Sequence, residues 1–391
     1  MDINRIQKEL RERKLGGWLL CDFRNRDVLA HRILGLDSKK MSTRRWFYFI
    51  PAKGEPRRLV HSVEPRQLDS LPGKKDVFLP WEQLHSLLKK ILGSPKKIAM
   101  QYSPKNNIPY VSMVDAGIVE LVRSFGHKVV SSADLVQLFE ASIGEEGYRT
   151  HKEAGVRVDK IRAEAFDQIR KTVATNSGLT EYDIQQYIMR RFGEEGLVTV
   201  DPPMVGTNDH PADPHFECTP ENARQFKQGD TVLIDMWAKF DKPGSIYYDI
   251  TWLAYIGDEP SKKYLEIFNT VKNARNTAIK FVKDKFAKEQ KCYGWQVDDA
   301  CRNVVKKAGY GKYFIHRTGH SIGEEIHGNG VNIDNLETKD DRQLMPGSCF
   351  SIEPGIYLPG EMAARSEINM FIRHDGVPEV TGEMQEELIK I

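Results

Sequence analysis

Residues 231–257 read TVLIDMWAKFDKPGSIYYDITWLAYIG, and this stretch predicts a β-hairpin. Two runs rich in β-branched and aromatic residues flank a Pro-Gly pair that is typical of a turn. Each run contains one aspartate, Asp235 in the first and Asp249 in the second, although strands are strongly depleted in Asp. An ionised carboxylate on a buried strand must be paired with a cation or bind a metal ion. The hairpin therefore predicts a sheet that carries a charged site.

Two further carboxylates occupy predicted strands near the end of the chain. Glu353 lies within CFSIEPGIYL (349–358), just before a rigid Pro-Gly pair, and Glu367 lies within SEINMFI (366–372). A strand end that faces water explains one such residue, but four of them together favour a metal site. Two divalent ions balance four carboxylates, and an oxygen-rich set with one imidazole suits Mn, Co or Fe at least as well as Zn. Two ions roughly 3.5–4 Å apart hold a water between them, lower its pKa and polarise the bond that it attacks.

Three histidines lie in the stretch HRTGHSIGEEIHGNG (316–330). His316 and His320 have the i, i+4 spacing of a zinc-binding helix, but four glycines occupy the same stretch. Glycines at this density favour a loop or a twisted strand that brings the backbone close to a site. We therefore predict a loop in which His320 joins the four carboxylates as the imidazole ligand.

The first part of the chain predicts an α/β domain. The segments GGWLLCD, RWFYFIP and KKIAMQY are typical of strands, and residues 111–126 are typical of an amphipathic helix. A long helix is predicted directly afterwards, so we place the end of the first domain at residue 140.

The second part, residues 141–391, combines helices with the strands described above. Residues 142–175 carry apolar residues at three- and four-residue spacing and predict one long helix. Thr180 and Asp183 form a capping-box-like start to the next helix. One more helical stretch is expected over 260–308, and these patterns together indicate a domain of the α+β class.

Length and composition are those of a globular chain with two cores, because the 391 residues are 40% hydrophobic and 29% charged. The initial MDINRIQKEL lacks the apolar segment of a secretory signal, and no run of about 18 apolar residues occurs. The five cysteines are scattered without C-x-x-C spacing, which is typical of reduced thiols in the cytoplasm. We therefore expect a cytoplasmic protein with no membrane partner.

The small net charge of +2 hides an uneven distribution of charge. Residues 1–105 contain 23 Lys and Arg against 11 Asp and Glu, a balance of +12, which leaves −10 for the rest of the chain. The basic pairs are dispersed and are not clustered with aromatic residues on one element. They favour solvated faces, or contact with an acidic domain, over binding to nucleic acid.

The order of the candidate ligands resembles that of a known family. The set Asp235, Asp249, His320, Glu353 and Glu367, with the strings GHSIG, IEPGIY and RSE, resembles the pita-bread metallopeptidases of family M24, which include methionine aminopeptidase, aminopeptidase P and prolidase. The resemblance covers about 150–391, and the first domain resembles the creatinase-type domain of aminopeptidase P and prolidase. It implies the fold class α/β + α+β, in which a creatinase-like domain precedes a pita-bread domain with a metal-binding antiparallel sheet.

The resemblance also implies a role for each ligand. Asp235 would chelate one metal ion, His320 and Glu353 would bind the other, and Asp249 and Glu367 would bridge the two. Manganese is the favoured metal, with cobalt, zinc and iron as alternatives, and a metal-bridging hydroxide is the expected nucleophile. Glu353 also matches the proposed general base of the family.

Other residues match the family pattern singly. His327 matches a histidine that stabilises the tetrahedral intermediate, and His215 matches an upstream histidine at the substrate, so we expect both to be catalytic. His316 and Arg365 are expected on the substrate side of the site. Arg365 would act through a hydrogen bond behind a metal ligand.

The chain departs from the family pattern at several places. The two hairpin aspartates are farther apart than usual, which an insertion in the hairpin explains. Trp237 replaces a glycine and is expected to narrow the substrate pocket, and Gly328 replaces an acidic residue after His327. Val331 stands where prolidases often place an arginine that grips the carboxylate of the substrate, and this favours aminopeptidase P over prolidase.

We therefore expect a dinuclear metal-dependent hydrolase that removes an N-terminal residue before proline, an Xaa-Pro aminopeptidase acting on proline-containing peptides. An Xaa-Pro dipeptidase (prolidase) is one alternative, and a non-peptidase hydrolase or lyase on the same scaffold is another. A metal-free binding module is a third, although the intact ligand positions argue against it. By resemblance we also expect a homodimer or a higher homo-oligomer.

Overall fold

The computed structural model describes every residue from Met1 to Ile391 and divides the chain into two compact units, Met1–Glu140 and Ala141–Ile391. Each unit contains its own buried apolar clusters. None of the helices in either unit combines the length and the apolar character that crossing a bilayer requires.

The first unit is built on a six-stranded mixed sheet. Its strands are β1 (Gly17–Asp22), β2 (Trp46–Pro51), β3 (Arg57–His61), β4 (Lys74–Phe78), β5 (Lys97–Met100) and β6 (Lys128–Ser131). Their order is β4-β3-β2-β1-β5-β6, with β2 antiparallel to both of its neighbours and the other pairs parallel. The helices are α1 (Ile3–Glu12), α2 (Val28–Leu34), α3 (Trp81–Leu92), α4 (Ala116–Ser124) and α5 (Ala133–Val136). The three predicted strands are confirmed as β1, β2 and β5.

Both faces of this sheet are buried. Trp18 and Leu20 of β1 belong to one apolar cluster, and Leu19 between them belongs to the cluster on the other face. Because successive side chains of a strand point to opposite faces, a strand covered on both sides is apolar throughout. This explains why the first unit reads as short continuous apolar runs.

The helix predicted over 111–126 is right only in its second half. The backbone N–H groups of Met113 and Val114 both donate to the carbonyl oxygen of Gln101, directly after β5, at 3.0 Å. These two residues are therefore not helical. Asp115 precedes the helix, which begins at Ala116. The tertiary contact overrides the apolar periodicity of residues 111–114.

The second unit begins with the predicted long helix and continues with three more helices and ten strands. The helices are α6 (Glu145–Thr175), α7 (Glu181–Glu194), α8 (Lys262–Ala287) and α9 (Gly294–Lys307). The strands are β7 (Leu197–Val198), β8 (Met204–Thr207), β9 (Thr231–Phe240), β10 (Tyr248–Tyr255), β11 (Cys349–Ile352), β12 (Gly355–Leu358), β13 (Met362–Arg365), β14 (Ile368–Ile372), β15 (Pro378–Thr381) and β16 (Ile389–Lys390). A capping box between Thr180 and Asp183 starts α7, as predicted.

The single helical stretch predicted over 260–308 is wrong, because two helices occupy it. Helix α8 ends at Ala287, and Glu289 then takes a left-handed conformation with φ of 52°. A second helix starts at Gly294, where the side chain of Gln296 accepts a hydrogen bond from the N–H of Tyr293 at 3.3 Å. The two helices pack against each other and against the C-terminal strands.

The strands of the second unit form three sheets. The predicted hairpin is confirmed as β9 and β10, in a sheet of order β16-β10-β9-β7 in which β8 also pairs with β9. Strands β11, β14 and β15 form a second sheet, and β12 pairs with β13. Pro354 separates β11 from β12, so the predicted strand over 349–358 is two strands with Glu353 at the break.

Candidate metal centre

The two faces of the β9–β10 hairpin have different surroundings. Ile234, Met236 and Ile250 lie on one face and belong to the apolar core that includes residues of α6 and α7. Because side chains alternate along a strand, Asp235 and Asp249 lie on the other face. The alternation therefore collects both carboxylates on one side of the hairpin.

Backbone hydrogen bonds bring the later carboxylates to this side. The N–H of Glu367 donates to the carbonyl oxygen of Thr251 in β10 at 3.2 Å. The N–H of Glu353 donates to the carbonyl oxygen of Thr318 at 2.7 Å, two residues before His320. The two glutamates therefore reach the hairpin from the ends of different strands.

Residues 316–330 form a loop with isolated β-bridges, as predicted, and not a zinc-binding helix. Gly319, directly before His320, lies so close to Ser351 that a Cβ atom there would overlap its carbonyl oxygen. The N–H of Ser351 donates to the carbonyl of His320 at 2.9 Å. The glycine thus allows the loop to lie directly against β11, which fixes the position of the imidazole.

Four of the five predicted ligands lie close together. His320 Nε2 is 3.3 Å from Asp249 Oδ2 and 3.5 Å from Glu353 Oε1. One ligand atom from each of Asp249, His320 and Glu367 lies within 4.8 Å of the others, and all three residues are buried. Metal–nitrogen and metal–oxygen bonds of about 2 Å place neighbouring ligand atoms roughly 3 Å apart, so these separations suit a shared divalent cation.

Unsatisfied atoms provide an independent test of this fit. Asp249 Oδ1 and Glu367 Oε1 are buried and have no hydrogen-bond partner. His320 Nδ1 lies 3.1 Å from the carbonyl oxygen of Ser321, to which it must donate. The lone pair of His320 Nε2 therefore faces the carboxylates, the tautomer that a metal ligand requires. The residues present fit a bound divalent cation.

The pKa values of the carboxyl groups are raised, because these groups are buried close together with too little positive charge near them. Burial, followed by the charge of Glu353, raises the pKa of Asp249 well above its usual value. Burial, followed by the charges of Asp249 and Glu353, does the same for the pKa of Glu367. The pKa of Asp235 rises only to about 6, because burial is opposed by Arg365. A cation at this place removes the repulsion among these groups.

Arg365 holds Asp235 in a buried network. Its Nη2 donates to Asp235 Oδ2, its Nε donates to Thr251 Oγ1 at 3.0 Å, and its Nη1 donates to the hydroxyl of Tyr357 at 3.1 Å. The Thr251 hydroxyl lies 3.0 Å from Asp235 Oδ1 and 2.7 Å from Glu367 Oε2. Asp235 is therefore joined to the other ligands through Thr251 and is oriented by Arg365.

His316 is connected to the same network. Its Nδ1 lies 2.7 Å from the carbonyl oxygen of Arg317, so this nitrogen must carry the proton. Its Nε2 therefore accepts a hydrogen bond from the Tyr357 hydroxyl at 2.7 Å. Burial, followed by the nearby charge of Arg365, lowers the pKa of His316 to about 3. The imidazole is held neutral beside the site.

His327 and His215 lie at the exposed side of the loop. The ring of His327 meets that of His320 edge to face, with the ring centroids 4.5 Å apart. Although His327 is solvent-exposed, its pKa is lowered to about 4, first by partial desolvation and then by the charges of His320, Arg317 and His215. His215 is exposed.

Two residues of helix α9 bind the backbone at the start of the histidine loop. Asp298 Oδ1 accepts hydrogen bonds from the N–H and the hydroxyl of Thr318 at 3.0 and 2.6 Å. Arg302 donates to the carbonyl oxygens of Phe314 and His316 at 2.9 and 2.8 Å, and its Nη2 lies 2.9 Å from Asp298. Both side chains are buried, so this pair fixes the backbone that leads to His320.

Sequence reasoning missed Asp298, Arg302, Thr251 and Tyr357. Thr251 could have been found from strand alternation, because it lies two residues after Asp249 on the same face of β10. The i, i+4 spacing of an Asp and an Arg in a predicted helix marks the α9 pair, but the same spacing is common on solvated helix faces. Tyr357 ends the string IEPGIY, which carries the family resemblance, but the resemblance assigned it no role.

Trp237 lies on the ligand side of the hairpin. It pairs with Asp249 across the two strands, and it is partly exposed. Its indole Nε1 is buried without a hydrogen-bond partner. The structure therefore brings this predicted pocket residue next to a candidate ligand.

Known proteins are similar to this chain in sequence. Residues 149–374 match metallopeptidase family M24. The probable dipeptidase PepE of Mycobacterium tuberculosis strain H37Rv is 29% identical over 269 residues, 69% of this chain and 66% of that protein. The Xaa-Pro dipeptidase of Lactobacillus helveticus is 30% identical over 253 residues, 65% of this chain and 62% of that protein. The matches span just under two thirds of the length of these relatives.

Solved structures share the fold over the whole chain. Dipeptidase PepE from Mycobacterium ulcerans has a TM-score of 0.69 at 23% identity and covers 100% of this chain and 96% of that chain. Prolidase from Thermococcus sibiricus has a TM-score of 0.62 at 21% identity and covers 100% of both chains. X-prolyl aminopeptidase from Caenorhabditis elegans, described as a cytosolic enzyme with a dinuclear active site, has a TM-score of 0.66 at 16% identity and covers 99% of this chain and 62% of that chain.

These likenesses confirm the predicted fold, in which an α/β unit precedes a pita-bread unit. The family match extends over more than half of the chain and includes all five predicted ligand positions. The chain belongs to metallopeptidase family M24.

Proposed function

We propose that this protein is a dinuclear metal-dependent Xaa-Pro aminopeptidase, which removes an N-terminal residue that precedes proline. The observation that carries the proposal is the buried cluster of Asp249, His320 and Glu367, whose ligand atoms lie within 4.8 Å of one another and in which two carboxylate oxygens have no hydrogen-bond partner. Asp235 and Glu353 complete the proposed ligand set, and manganese is the proposed metal. The names of the prolidase and X-prolyl aminopeptidase structures support a substrate that contains proline.

The residues of the chain divide the chemistry among them. Bound divalent cations would supply a water of lowered pKa and polarise the scissile carbonyl group. Glu353, whose Oε1 accepts a hydrogen bond from Ser351 Oγ at 3.1 Å, accepts the proton of the attacking water and passes it to the leaving amine. His327 donates to the carbonyl oxygen as negative charge develops there, and His215 contributes from the exposed side.

The positions of two other residues favour an aminopeptidase. Val331, which stands where prolidases often carry an arginine, is 1% exposed and packs in the apolar core beside α8 and α9. This position therefore offers no charge to the free carboxylate of a dipeptide. Burial, followed by the charge of Arg365, lowers the pKa of His316 and keeps it neutral, so it adds no fixed charge on the substrate side.

An Xaa-Pro dipeptidase is the second candidate, because the relatives from Mycobacterium tuberculosis and Lactobacillus helveticus are named dipeptidases. Arg317 or another cation would then have to bind the carboxylate of the substrate. The two candidates differ in the length of the peptide that they accept, so one panel of peptides separates them.

The test is hydrolysis of Ala-Pro-Ala, Ala-Pro, Gly-Pro and Ala-Ala-Ala by chelator-treated protein, with and without added Mn or Co. Bound metal is counted in parallel by elemental analysis. We expect two ions per chain and metal-dependent cleavage of the Ala-Pro bond in Ala-Pro-Ala. Cleavage confined to dipeptides would favour the dipeptidase, and two bound ions without cleavage of any peptide would overturn both peptidase proposals.

Assembly and location are parts of the same proposal. We expect a homodimer or a higher homo-oligomer, which light scattering of the purified chain tests. We also expect a cytoplasmic enzyme, in line with the cytosolic description of the Caenorhabditis elegans aminopeptidase. Fractionation of the source cells tests the location.

A further inference from the structure

The β9–β10 hairpin holds the loop that carries His320 and His327. The N–H of Gly244 donates to Glu324 Oε2 at 2.9 Å, and the N–H of Tyr247 donates to the carbonyl oxygen of Gly323 at 3.0 Å. Lys239, on strand β9, donates from Nζ to the carbonyl oxygen of Glu324. Strand β9 and the turn that follows it thus bind residues 323 and 324, which lie between the two histidines.

Trp237 and Ile326 form an apolar wall between this hairpin and the loop. Trp237 from β9 and Ile326 from the loop pack against one buried cluster. The buried members of the cluster are Ile143, Ile246, Tyr247, Ile322, Cys349 and Phe371. Trp237 and Ile326 are both partly exposed. The wall therefore has a buried side, fixed by the cluster, and an open side.

The open side of the wall lies next to the candidate ligands. Strand alternation puts Trp237 on the same face as Asp235, and the strand register sets it opposite Asp249. Side chains that face each other across two strands have Cβ atoms about 5 Å apart. Ile326 is the neighbour of His327, whose ring contacts His320. A peptide bond at the metal centre would therefore have an adjacent side chain against this wall.

The substrate residue that would contact this wall is the N-terminal one. Its ammonium group would lie against the carboxylate oxygens of Asp235 and Asp249 on the hairpin side of the site, which can accept its hydrogen bonds. The side chain and the ammonium group branch from the same carbon atom. The side chain therefore lies on the hairpin, where the bulk of the indole limits its length.

We propose that Trp237 determines the specificity of the site for the N-terminal residue: its indole, backed by Ile326, occupies the space that a large N-terminal side chain would need. The inference rests on the proposed peptidase function and names the substrates within it. The protein would act on peptides whose residue before proline is small, such as Ala-Pro-Ala, and discriminate against Phe-Pro-Ala. An aromatic side chain would have to displace a ring that is packed on a buried cluster.

The experiment compares kcat/KM for Ala-Pro-Ala, Leu-Pro-Ala and Phe-Pro-Ala in the metal-loaded full chain and in three variants. For the wild type we expect Phe-Pro-Ala to be cleaved at least about tenfold less efficiently than Ala-Pro-Ala, within the range that hydrophobic pockets achieve. Trp237→Gly is expected to raise the Phe-to-Ala ratio by about tenfold or more. Trp237→Phe, which keeps an aromatic ring, should change the ratio less than threefold, and Ile326→Ala should raise it by a smaller factor than Trp237→Gly.

A second readout does not depend on turnover. Calorimetry of the same peptides with the metal-free full chain should show that Trp237→Gly raises the affinity for Phe-Pro-Ala relative to Ala-Pro-Ala. Since glycine weakens a strand, Trp237→Leu provides a variant with reduced bulk if the glycine variant does not fold.

The outcomes separate this inference from the proposed function. A wild type that cleaves all three peptides equally would overturn the role of Trp237 and leave the peptidase intact. A glycine or leucine variant that changes all three peptides by the same factor would do the same. A metal-loaded wild type that cleaves none of them would overturn the peptidase function itself.

Discussion

Arg365 donates a hydrogen bond from Nη2 to Asp235 Oδ2, and both side chains are buried. Arg365 lies only two residues before Glu367. This short segment therefore supplies one candidate ligand, Glu367, and also the positive charge that pairs with a second candidate ligand, Asp235. The planar guanidinium reaches Asp235, Thr251 and Tyr357 at the same time. The orientation of Asp235 therefore depends on the geometry of this cation as well as on its charge.

Replacement of Arg365 by lysine tests this dependence. Arg365→Lys keeps the positive charge but loses two of the three directed hydrogen bonds, so we expect metal affinity or activity to fall about 10–100-fold. Metal titration of the chelator-treated protein and kcat/KM for Ala-Pro-Ala measure the loss. Arg373→Lys is the matched control, because Arg373 is exposed and pairs with Asp375. Equal losses in the two variants would contradict the orienting role of Arg365.

Removal of one buried carboxylate should stabilise the metal-free protein at high pH. Burial raises the pKa of Asp249 in the folded state. A carboxyl group with a raised folded pKa binds its proton more tightly when folded, so its contribution to stability is lost as pH rises from about 4 through the folded pKa. We expect metal-free Asp249→Asn to have a higher Tm than wild type near pH 8, and the difference to vanish near pH 4.

Thermal melts of chelator-treated protein across this pH range measure the difference. Added Mn should raise the Tm of the wild type by binding the folded state, whereas the variant should gain little. A difference in Tm that does not change with pH would mean that the carboxylate of Asp249 is not under electrostatic strain in the folded protein.

The ligands could be predicted from sequence because each stands out against its own neighbours. Asp235 and Asp249 interrupt apolar strands, and strand alternation then sets both on one face. The Arg365–Asp235 pair could not be predicted in this way, because 130 residues separate the partners. Their meeting depends on how the hairpin packs against the C-terminal strands.

The errors of the sequence analysis have the same origin. Residues 111–114 have the apolar spacing of a helix, but the N–H groups of Met113 and Val114 donate to the carbonyl oxygen of Gln101, directly after β5. The break between α8 and α9 depends on the left-handed residue Glu289, and glutamate carries no local signal for that conformation. Local pattern identified these elements, but it did not predict that α4 begins at Ala116 or that α8 ends at Ala287.

Loss of a ligand should abolish activity and leave the fold largely intact. His320→Ala removes the imidazole that meets Asp249 and Glu353, and Glu353→Ala removes both a ligand and the proposed base. We expect kcat to fall by at least about a thousandfold in each variant, because the remaining residues cannot generate the nucleophile. Elemental analysis should find fewer than two ions per chain. Glu361→Ala, at an exposed position paired with Lys263, is the control. Full activity in either ligand variant would remove the metal centre from the mechanism.

Loss of the buried Asp298–Arg302 ion pair should destabilise the protein and displace the histidine loop. Asp298→Ala leaves the buried guanidinium of Arg302 without its partner and removes the acceptor of the Thr318 N–H. Breaking a buried ion pair costs about 3–5 kcal/mol, so we expect a lower free energy of unfolding and a displaced His320. Denaturant unfolding measures the first effect, and metal affinity in the folded fraction measures the second. Asp299→Ala is the control, since this neighbour only accepts a hydrogen bond from Asn335 at the surface. A destabilised Asp298→Ala variant with unchanged metal affinity would limit the pair to a structural role and leave the position of His320 to Gly319 and β11.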